Sequence, residues 1–169
     1  MNPYLLKTVR RGDGTTIAFT RFVDNLEKLI DAERDAVGLP CHDLAFDTWL
    51  SEAEAARTAV IEAAEAVVFA PCRTVADLRF RIIARDFETM MLTSDPVRYA
   101  SKHEFLSTAG WLYSARGLGQ KVGPAATLLR ACQVRFAQLF ALPDGPAVWK
   151  VAEAESPGAI SAERAARKG

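Results

Sequence analysis

Apolar residues at helical spacing, punctuated by proline and glycine, constrain the fold of this chain more than any other feature. Between residues 44 and 69 the apolar positions recur at steps of three and four, and alanine, the strongest helix former, is abundant. Pro71 then ends the stretch. At about 1.5 Å per residue this helix is roughly 39 Å long. It carries one apolar stripe: Phe46, Trp49, Leu50, Ala53, Val60, Ile61, Ala64, Val67 and Val68.

A similar pattern precedes this helix. Asp13 stands before a series of apolar residues spaced by three and four, and Gly38 ends the series. The positions in the series are Ile17, Phe22, Val23, Leu26, Leu29, Ile30 and Val37. Residues 17–22 also alternate between apolar and polar, and glycines precede them. A short N-terminal hairpin from Leu5 to Phe22 is therefore the alternative to a first helix.

A capping box predicts where the third helix begins. The Thr74 side chain can accept a hydrogen bond from the backbone of Asp77, and the Asp77 side chain can bond back to the cap. Apolar residues at helical spacing follow: Val75, Leu78, Ile82, Ile83, Phe87, Met90 and Met91. The spacing predicts a third helix that packs through these residues.

Two further helices follow in the sequence. A cap followed by Pro96 begins a fourth helix, whose apolar pattern extends over residues 97–113. A fifth helix begins at Gly123 and is closed by Pro143. The connections are short, which favours antiparallel neighbours. We therefore expect an all-α fold, an up-down bundle of about five helices in residues 1–143.

The residues after this bundle differ in composition. Residues 144–169 contain Pro146, Pro157 and Gly158 and few large apolar side chains. We expect them to form a partly mobile C-terminal tail. The bundle and tail together, at 169 residues, suit a single domain with a sizeable core.

The charges of the chain are divided between two halves. Residues 24–65 contain 11 acidic and 3 basic side chains, a net charge of −8. Residues 66–141 contain 5 acidic and 10 basic side chains, a net charge of +5, although the whole chain is neutral. This division suits self-association, an internal charge match, or a basic face for an anionic partner.

Several features favour a cytoplasmic protein without a membrane anchor. No apolar run approaches the ~18 residues that span a bilayer, and the first residues do not form a signal peptide. The three cysteines, Cys41, Cys72 and Cys132, are odd in number and widely spaced, which does not indicate a disulfide framework. Free thiols suit a reducing compartment.

The basic half suggests a nucleic-acid interface as one hypothesis. Arginine suits bidentate contacts to phosphate. The candidate contacts for nucleic acid or for a partner protein are Arg79, Arg81, Arg85, Lys102, Arg130 and Arg135. Acidic residues lie among them, however, and the pI of about 6.7 is well below the pI above ~9 that is typical of dedicated nucleic-acid domains.

Catalytic and metal sites have less support. Cys41, His42 and His103 can meet at one end of the bundle, but they supply at most three of the four ligands of a structural zinc site. A nucleophilic Cys–His pair has no recognisable supporting residue. A metal- or thiol-dependent enzyme is therefore the third hypothesis, and we predict no cofactor, no metal site and no catalytic residues. The glycine-rich segment 116–124 fits a helix cap and connector better than a phosphate-binding loop.

The segment Pro71-Cys72-Arg73-Thr74-Val75-Ala76-Asp77-Leu78-Arg79-Phe80-Arg81 follows an acidic, alanine-rich helix. It resembles a turn of small uncharacterised alphaproteobacterial helical proteins, some of them prophage-associated. The likeness covers roughly residues 43–90. It implies no activity and no functional residues, and it favours a bacterial, cytoplasmic and non-catalytic protein.

Together these patterns favour a non-enzymatic helical-bundle protein with an interaction or regulatory role. We expect it to self-associate, as a homodimer, or to bind a protein partner. The alternative is a nucleic-acid-binding regulator that uses the arginine-rich side of helices three to five.

Overall fold

The computed structural model describes residues 14–36, 46–118 and 123–142, and these residues form six helices without any strand among them. The helices are α1 (Gly14–Ala36), α2 (Phe46–Phe69), α3 (Val75–Leu92), α4 (Pro96–Thr108), α5 (Gly110–Tyr113) and α6 (Gly123–Phe140). The prediction of an all-α bundle is confirmed. The predictions for the C-terminal tail, for Cys41 and for His42 lie outside the described residues.

The alternative of an N-terminal hairpin is wrong for the residues that the structure describes. Residues 14–22 belong to α1, and their buried side chains follow a helical rather than an alternating pattern. Phe19, Phe22, Val23 and Leu26 are all buried, at steps of three, one and three. A strand would have placed Phe22 and Val23 on opposite faces, whereas a helix places both against the core.

Contacts along α1 and α2 show that these helices are antiparallel. The hydroxyl of Thr15, at the start of α1, donates to the carbonyl of Pro71, just beyond the end of α2. Further along, Asn25 Nδ2 donates to the carbonyl of Ala59, 3.4 Å away. At the other end of the pair, Arg57 bonds Glu33. The order of these contacts confirms the up-down arrangement for the first two helices.

The remaining helices close the bundle around α1. α1 contacts α2, α3 and α6, while α3 also contacts α2 and α4. Phenylalanine rings form the centre of the core: Phe19 stacks on Phe80 with ring centroids 4.0 Å apart, and Phe87 stacks on Phe136 at 5.6 Å. Each buried aromatic ring contributes about 2–3 kcal/mol through removal of apolar surface from water. The core therefore joins α1, α3 and α6.

The predicted fourth helix is divided into α4 and α5. The break falls at Ala109, whose ψ of 62° is outside the helical range. Below the break, the buried hydroxyl of Tyr113 donates to the carbonyl of Leu106, 2.9 Å away. This bond satisfies a carbonyl near the end of α4 and lets α5 change direction while Leu112 stays in the core.

The predicted caps of α3 and α4 are confirmed. Thr74 accepts from the backbone of Asp77, and the Asp77 carboxylate accepts from the backbone of Thr74 at 2.8 Å, as a capping box requires. Asp95 caps α4 by accepting from the backbone of Val97, with Pro96 at the first helical position. Local chemistry therefore determines where both helices begin.

Candidate protein-interaction surface

Helix α3 carries two apolar stripes on opposite sides. The inner stripe is buried and consists of Phe80, Ile83, Ala84, Phe87 and Met90. The outer stripe, which we call the α3 face, consists of Val75, Leu78, Ile82, Arg85, Thr89 and Leu92. Its steps of three and four repeat with the seven-residue period of helices that pair with other helices. α3 is thus patterned to contact neighbours on both sides.

Most of the α3 face is open to solvent. Val75, Leu78 and Leu92 are 52%, 49% and 64% exposed, and Ile82 is half-buried. A still more exposed apolar side chain lies beyond each end of α3. Phe69, at the end of α2, is 78% exposed, and Val97, at the start of α4, is 76% exposed. Contiguous exposed apolar surface on a folded protein marks interaction sites.

The sequence pattern did not separate these two stripes. Val75, Leu78 and Ile82 were expected to pack together with Ile83, Phe87 and Met90, but Val75 and Leu78 are exposed. The physical reason is the angle between the stripes. At 100° per residue, Leu78 and Phe80 point about 160° apart, so a single neighbouring layer cannot cover both. Testing each stripe separately for helical spacing reveals the α3 face from the sequence.

Two of the six predicted contact residues hold helix ends in place. Arg79 donates to the carbonyl of Ser114 and to that of Arg116, the latter 2.7 Å away, directly after α5. Arg81 donates to the carbonyl of Ala70, directly after α2. Carbonyls at helix C-termini lack intrahelical donors, and arginine supplies them. These two side chains are therefore occupied inside the chain.

Two more of the six form ion pairs within the chain. Lys102 on α4 pairs with Asp86 on α3, and Arg135 on α6 pairs with Glu27 on α1, 2.5 Å away. The second pair joins the basic half of the sequence to its acidic half. Only Arg85 and Arg130 of the six make no ion pair or hydrogen bond with another described residue. Nucleic-acid binding through these six residues stays a prediction.

The acidic half contains a buried ion pair of its own. Arg57 Nε donates to Glu33 Oε1 at 2.6 Å, and the side chains of both residues are largely buried between α1 and α2. By contrast Glu52, Glu54, Glu62 and Glu65 on α2 are exposed. These four glutamates of α2 are therefore solvated.

The third hypothesis, an enzyme, rests on residues that the structure describes only in part. His103 is half-buried, with its ring 4.2 Å from Phe140 and 6.0 Å from Tyr99, and this burial lowers the pKa of His103. Within the described ranges, no three His, Cys, Asp or Glu side chains come close enough to hold a metal ion. Burial raises the pKa of the Cys132 thiol, while Cys72 is exposed.

Two open clefts lie elsewhere on the surface. One, of about 340 Å³, lies between α1 and α2 and is lined largely by small residues such as Ala18, Ala59 and Ala63. The other, of about 330 Å³, lies beside Trp111 and is lined by the two arginines Arg79 and Arg116. Neither cleft brings together a nucleophile, a base and an oxyanion donor, the combination that covalent catalysis requires.

Comparison of this chain with protein-family models, with curated proteins and with solved structures finds no match. The resemblance of residues 43–90 to small bacterial helical proteins stays a prediction. A helix needs about 20 mostly apolar residues to cross a bilayer, and none among the described ranges combines that length with that hydropathy. The described residues thus form an antiparallel α-helical bundle whose third helix exposes an apolar face.

Proposed function

We propose that this chain is a non-enzymatic, cytoplasmic protein-interaction protein that binds a protein partner through the α3 face. The observation that carries the proposal is the heptad spacing of apolar side chains on the solvent side of α3. Val75, Leu78 and Leu92 are exposed there, although the same helix already buries a complete inner stripe. A helix that needs only one neighbour has charged residues on its outer side.

The driving force for such binding is the burial of apolar surface. Each Å² of apolar surface removed from water contributes about 25 cal/mol, before the cost of association is subtracted. Phe69, at the end of α2, and Val97, at the start of α4, are further exposed apolar side chains close to α3 in the sequence. Arg85, in the middle of the stripe, adds specificity, because a charged side chain at a core position restricts which partners and registers are allowed.

The composition of the α3 face favours protein over nucleic acid. Nucleic-acid affinity arises mainly from cations that neutralise phosphates. The α3 face has a single cation, Arg85, among four apolar residues, and the neighbouring Arg79 and Arg81 are already bonded to helix ends. An apolar helix face instead suits a groove or helix of another protein.

A pair of matched variants tests this proposal. Leu78→Glu places a charge on the α3 face, while Val134→Glu places one on α6 at a site of the same 49% exposure. Sedimentation velocity is recorded on the protein alone and in extract of its host. We expect complexes with wild type and with Val134→Glu, and none with Leu78→Glu. Complexes that survive Leu78→Glu, or the absence of any complex with wild type, contradict the proposal, provided that urea unfolding shows both variants to be folded.

A further inference from the structure

We infer that the partner of the α3 face is a second copy of this chain, which binds in antiparallel orientation about a two-fold axis between residues 83 and 84. This inference rests on the proposed function and specifies its partner. Two-fold symmetric pairing uses the same patch on both subunits, so the patch must be complementary to itself. The α3 face meets this requirement in its apolar pattern and in its charges.

When α3 is reversed, each pair of facing positions on the α3 face contains at least one apolar side chain. An antiparallel copy centred between residues 83 and 84 places Val75 opposite Leu92 of the second copy, and Leu78 opposite its Thr89. Ile82 then lies opposite Arg85 of the second copy. The two exposed residues that flank α3, Phe69 at one end and Val97 at the other, are brought to the same end of the pair. Reversal therefore sets the exposed Val75 of each copy against the exposed Leu92 of the other.

The charges disfavour the parallel alternative. In a parallel pair each residue of the stripe meets its own copy, so Arg85 would face Arg85 in the middle of an apolar seam. Burying two like charges side by side is unfavourable. In the antiparallel pair the aliphatic part of Arg85 lies against Ile82, and its guanidinium reaches the solvent at the edge.

The order of charges along α3 also favours the antiparallel pair. Besides Asp77 of the buried capping box, the first half of the helix carries Arg79 and Arg81. Besides Arg85 of the α3 face, the second half carries Asp86 and Glu88, so the two halves have net charges of +1 and −1. Antiparallel pairing sets the basic half of one helix beside the acidic half of the other, whereas parallel pairing sets like beside like. Complementary potentials of this kind orient partners even where the charges already have bonds within their own chain.

The size of the face predicts a weak and reversible dimer. The 18 residues of α3 give a strip about 27 Å long and about 10 Å wide. This strip is smaller than the roughly 800 Å² per partner of a standard interface. Phe69 and Val97 are needed to enlarge it, and we expect a dimer that dissociates on dilution.

Light scattering over a wide range of protein concentrations measures the dimer directly. We expect wild type to change from monomer to dimer as concentration rises. Leu78→Glu should raise the dissociation constant about 100-fold or more, since the dimer contains the substitution twice. Val134→Glu should change it by less than about threefold. If wild type stays monomeric at every concentration, the inference that the partner is a second copy is wrong.

Cysteine cross-linking tests the orientation. In a background with Cys41→Ser and Cys72→Ser, two single variants, Leu78→Cys and Thr89→Cys, are oxidised separately and then as a mixture. In the antiparallel dimer, positions 78 of the two copies are about 16 Å apart along the axis, too far for a disulfide. We therefore expect cross-linked dimer only from the mixture. Cross-linking of each variant alone shows a parallel pair and overturns the inferred orientation.

These outcomes separate this inference from the proposed function. If wild type is monomeric and its complexes in extract are lost with Leu78→Glu, the partner is not a second copy. The α3 face is then still the interaction surface. A dimer that survives Leu78→Glu overturns both, because association then uses another surface. A monomer that forms no complex in extract also overturns both.

Discussion

Helices α1 and α3 show what the outer side of a bundle helix reveals about its surroundings. Both helices bury a stripe of large apolar residues, and both contact three or more neighbours. The outer side of α1, however, is charged, with Arg21, Asp24, Lys28, Asp31 and Asp35 all exposed. The outer side of α3 is mainly apolar.

The comparison shows that the inner stripe of a helix depends on packing within the fold. The outer stripe depends on what surrounds the protein. The charged outer side of α1 is what water favours. The apolar outer side of α3 is unfavourable in water and is consistent with a surface that is covered when the protein functions. Four predictions, from the largest expected effect to the smallest, test how far contacts within the fold determine the effect of a substitution.

Substituting an inner residue of α3 should damage the fold far more than substituting an outer one. Phe80 is fully buried and stacks on Phe19, so Phe80→Ala should lower the free energy of unfolding by about 3–5 kcal/mol. Leu78→Ala, two residues earlier on the outer side, should cost less than about 1 kcal/mol in the dilute monomer. Urea unfolding measures both, and similar losses would contradict the assignment of two separate stripes.

Breaking the buried ion pair between α1 and α2 should have the next largest effect on the free energy of unfolding. Arg57→Met leaves the Glu33 carboxylate buried without its partner and should cost about 3 kcal/mol. The matched control is Arg34→Met, because Arg34 and Asp31 form a pair in which both side chains are more than half exposed. That control should change stability by at most about 0.5 kcal/mol.

A double substitution makes the ion-pair test sharper. Glu33→Leu combined with Arg57→Met replaces both charges with apolar side chains, and it should recover most of the stability that Arg57→Met loses. If the double variant is as unstable as the single one, the loss comes from packing of the arginine stem and not from an unpaired charge.

Removing the cap of α3 should have a smaller effect. Thr74→Ala deprives the backbone of Asp77 of its acceptor and should cost about 1 kcal/mol, while Thr74→Ser should retain most of the stability. Thr58→Ala provides the control, since Thr58 is an exposed residue within α2. Thermal unfolding of the three variants checks this, and equal losses for Thr74→Ala and Thr58→Ala would refute a capping role.

The smallest expected effect is a pH dependence that comes from His103. Burial against Phe140 lowers its pKa below the ordinary value of about 6.5, so the folded protein binds this proton less readily than the unfolded chain. Stability from this residue is therefore complete above about pH 6.5, falls as the pH drops below that value, and levels off below the folded pKa.

Urea unfolding between pH 5 and pH 8 can isolate this contribution. The free energy of unfolding of wild type should decrease more steeply toward acid than that of His103→Gln, because only wild type loses stability by protonation of this ring. Carboxylates contribute equally to both proteins, so the difference between the two curves belongs to His103. Parallel curves would show that the ring is equally basic in the folded and unfolded chain.

Much of the fold could be predicted from the residues themselves. Features that depend on near neighbours in the sequence are predicted well by local patterns. They include the capping box at Thr74, the cap before Pro96 and the apolar spacing of α1 and α6. The break at Ala109 could not be read in this way. It depends on a bond between Tyr113 and Leu106 that forms only when α5 turns into the core.

The candidate surface could be predicted only in part. The charge pattern identified six basic residues as candidate contacts, and their role stays a prediction. Sequence could not show that Arg79 and Arg81 reach the carbonyl ends of other helices. Those acceptors lie on residues that are distant along the chain or beyond another turn. The α3 face was hidden for a different reason, since its apolar residues were counted with those of the core.

The sequence by itself determined that this chain forms helices, where several of them begin, and which residues are apolar enough to need cover. Those properties depend on backbone propensity, capping and spacing over one or two turns. Only the tertiary structure decided which of two apolar stripes of α3 is buried. That choice depends on where α1, α2 and α4 lie around α3, because burial is a property of neighbours in space and not of the residue that is buried.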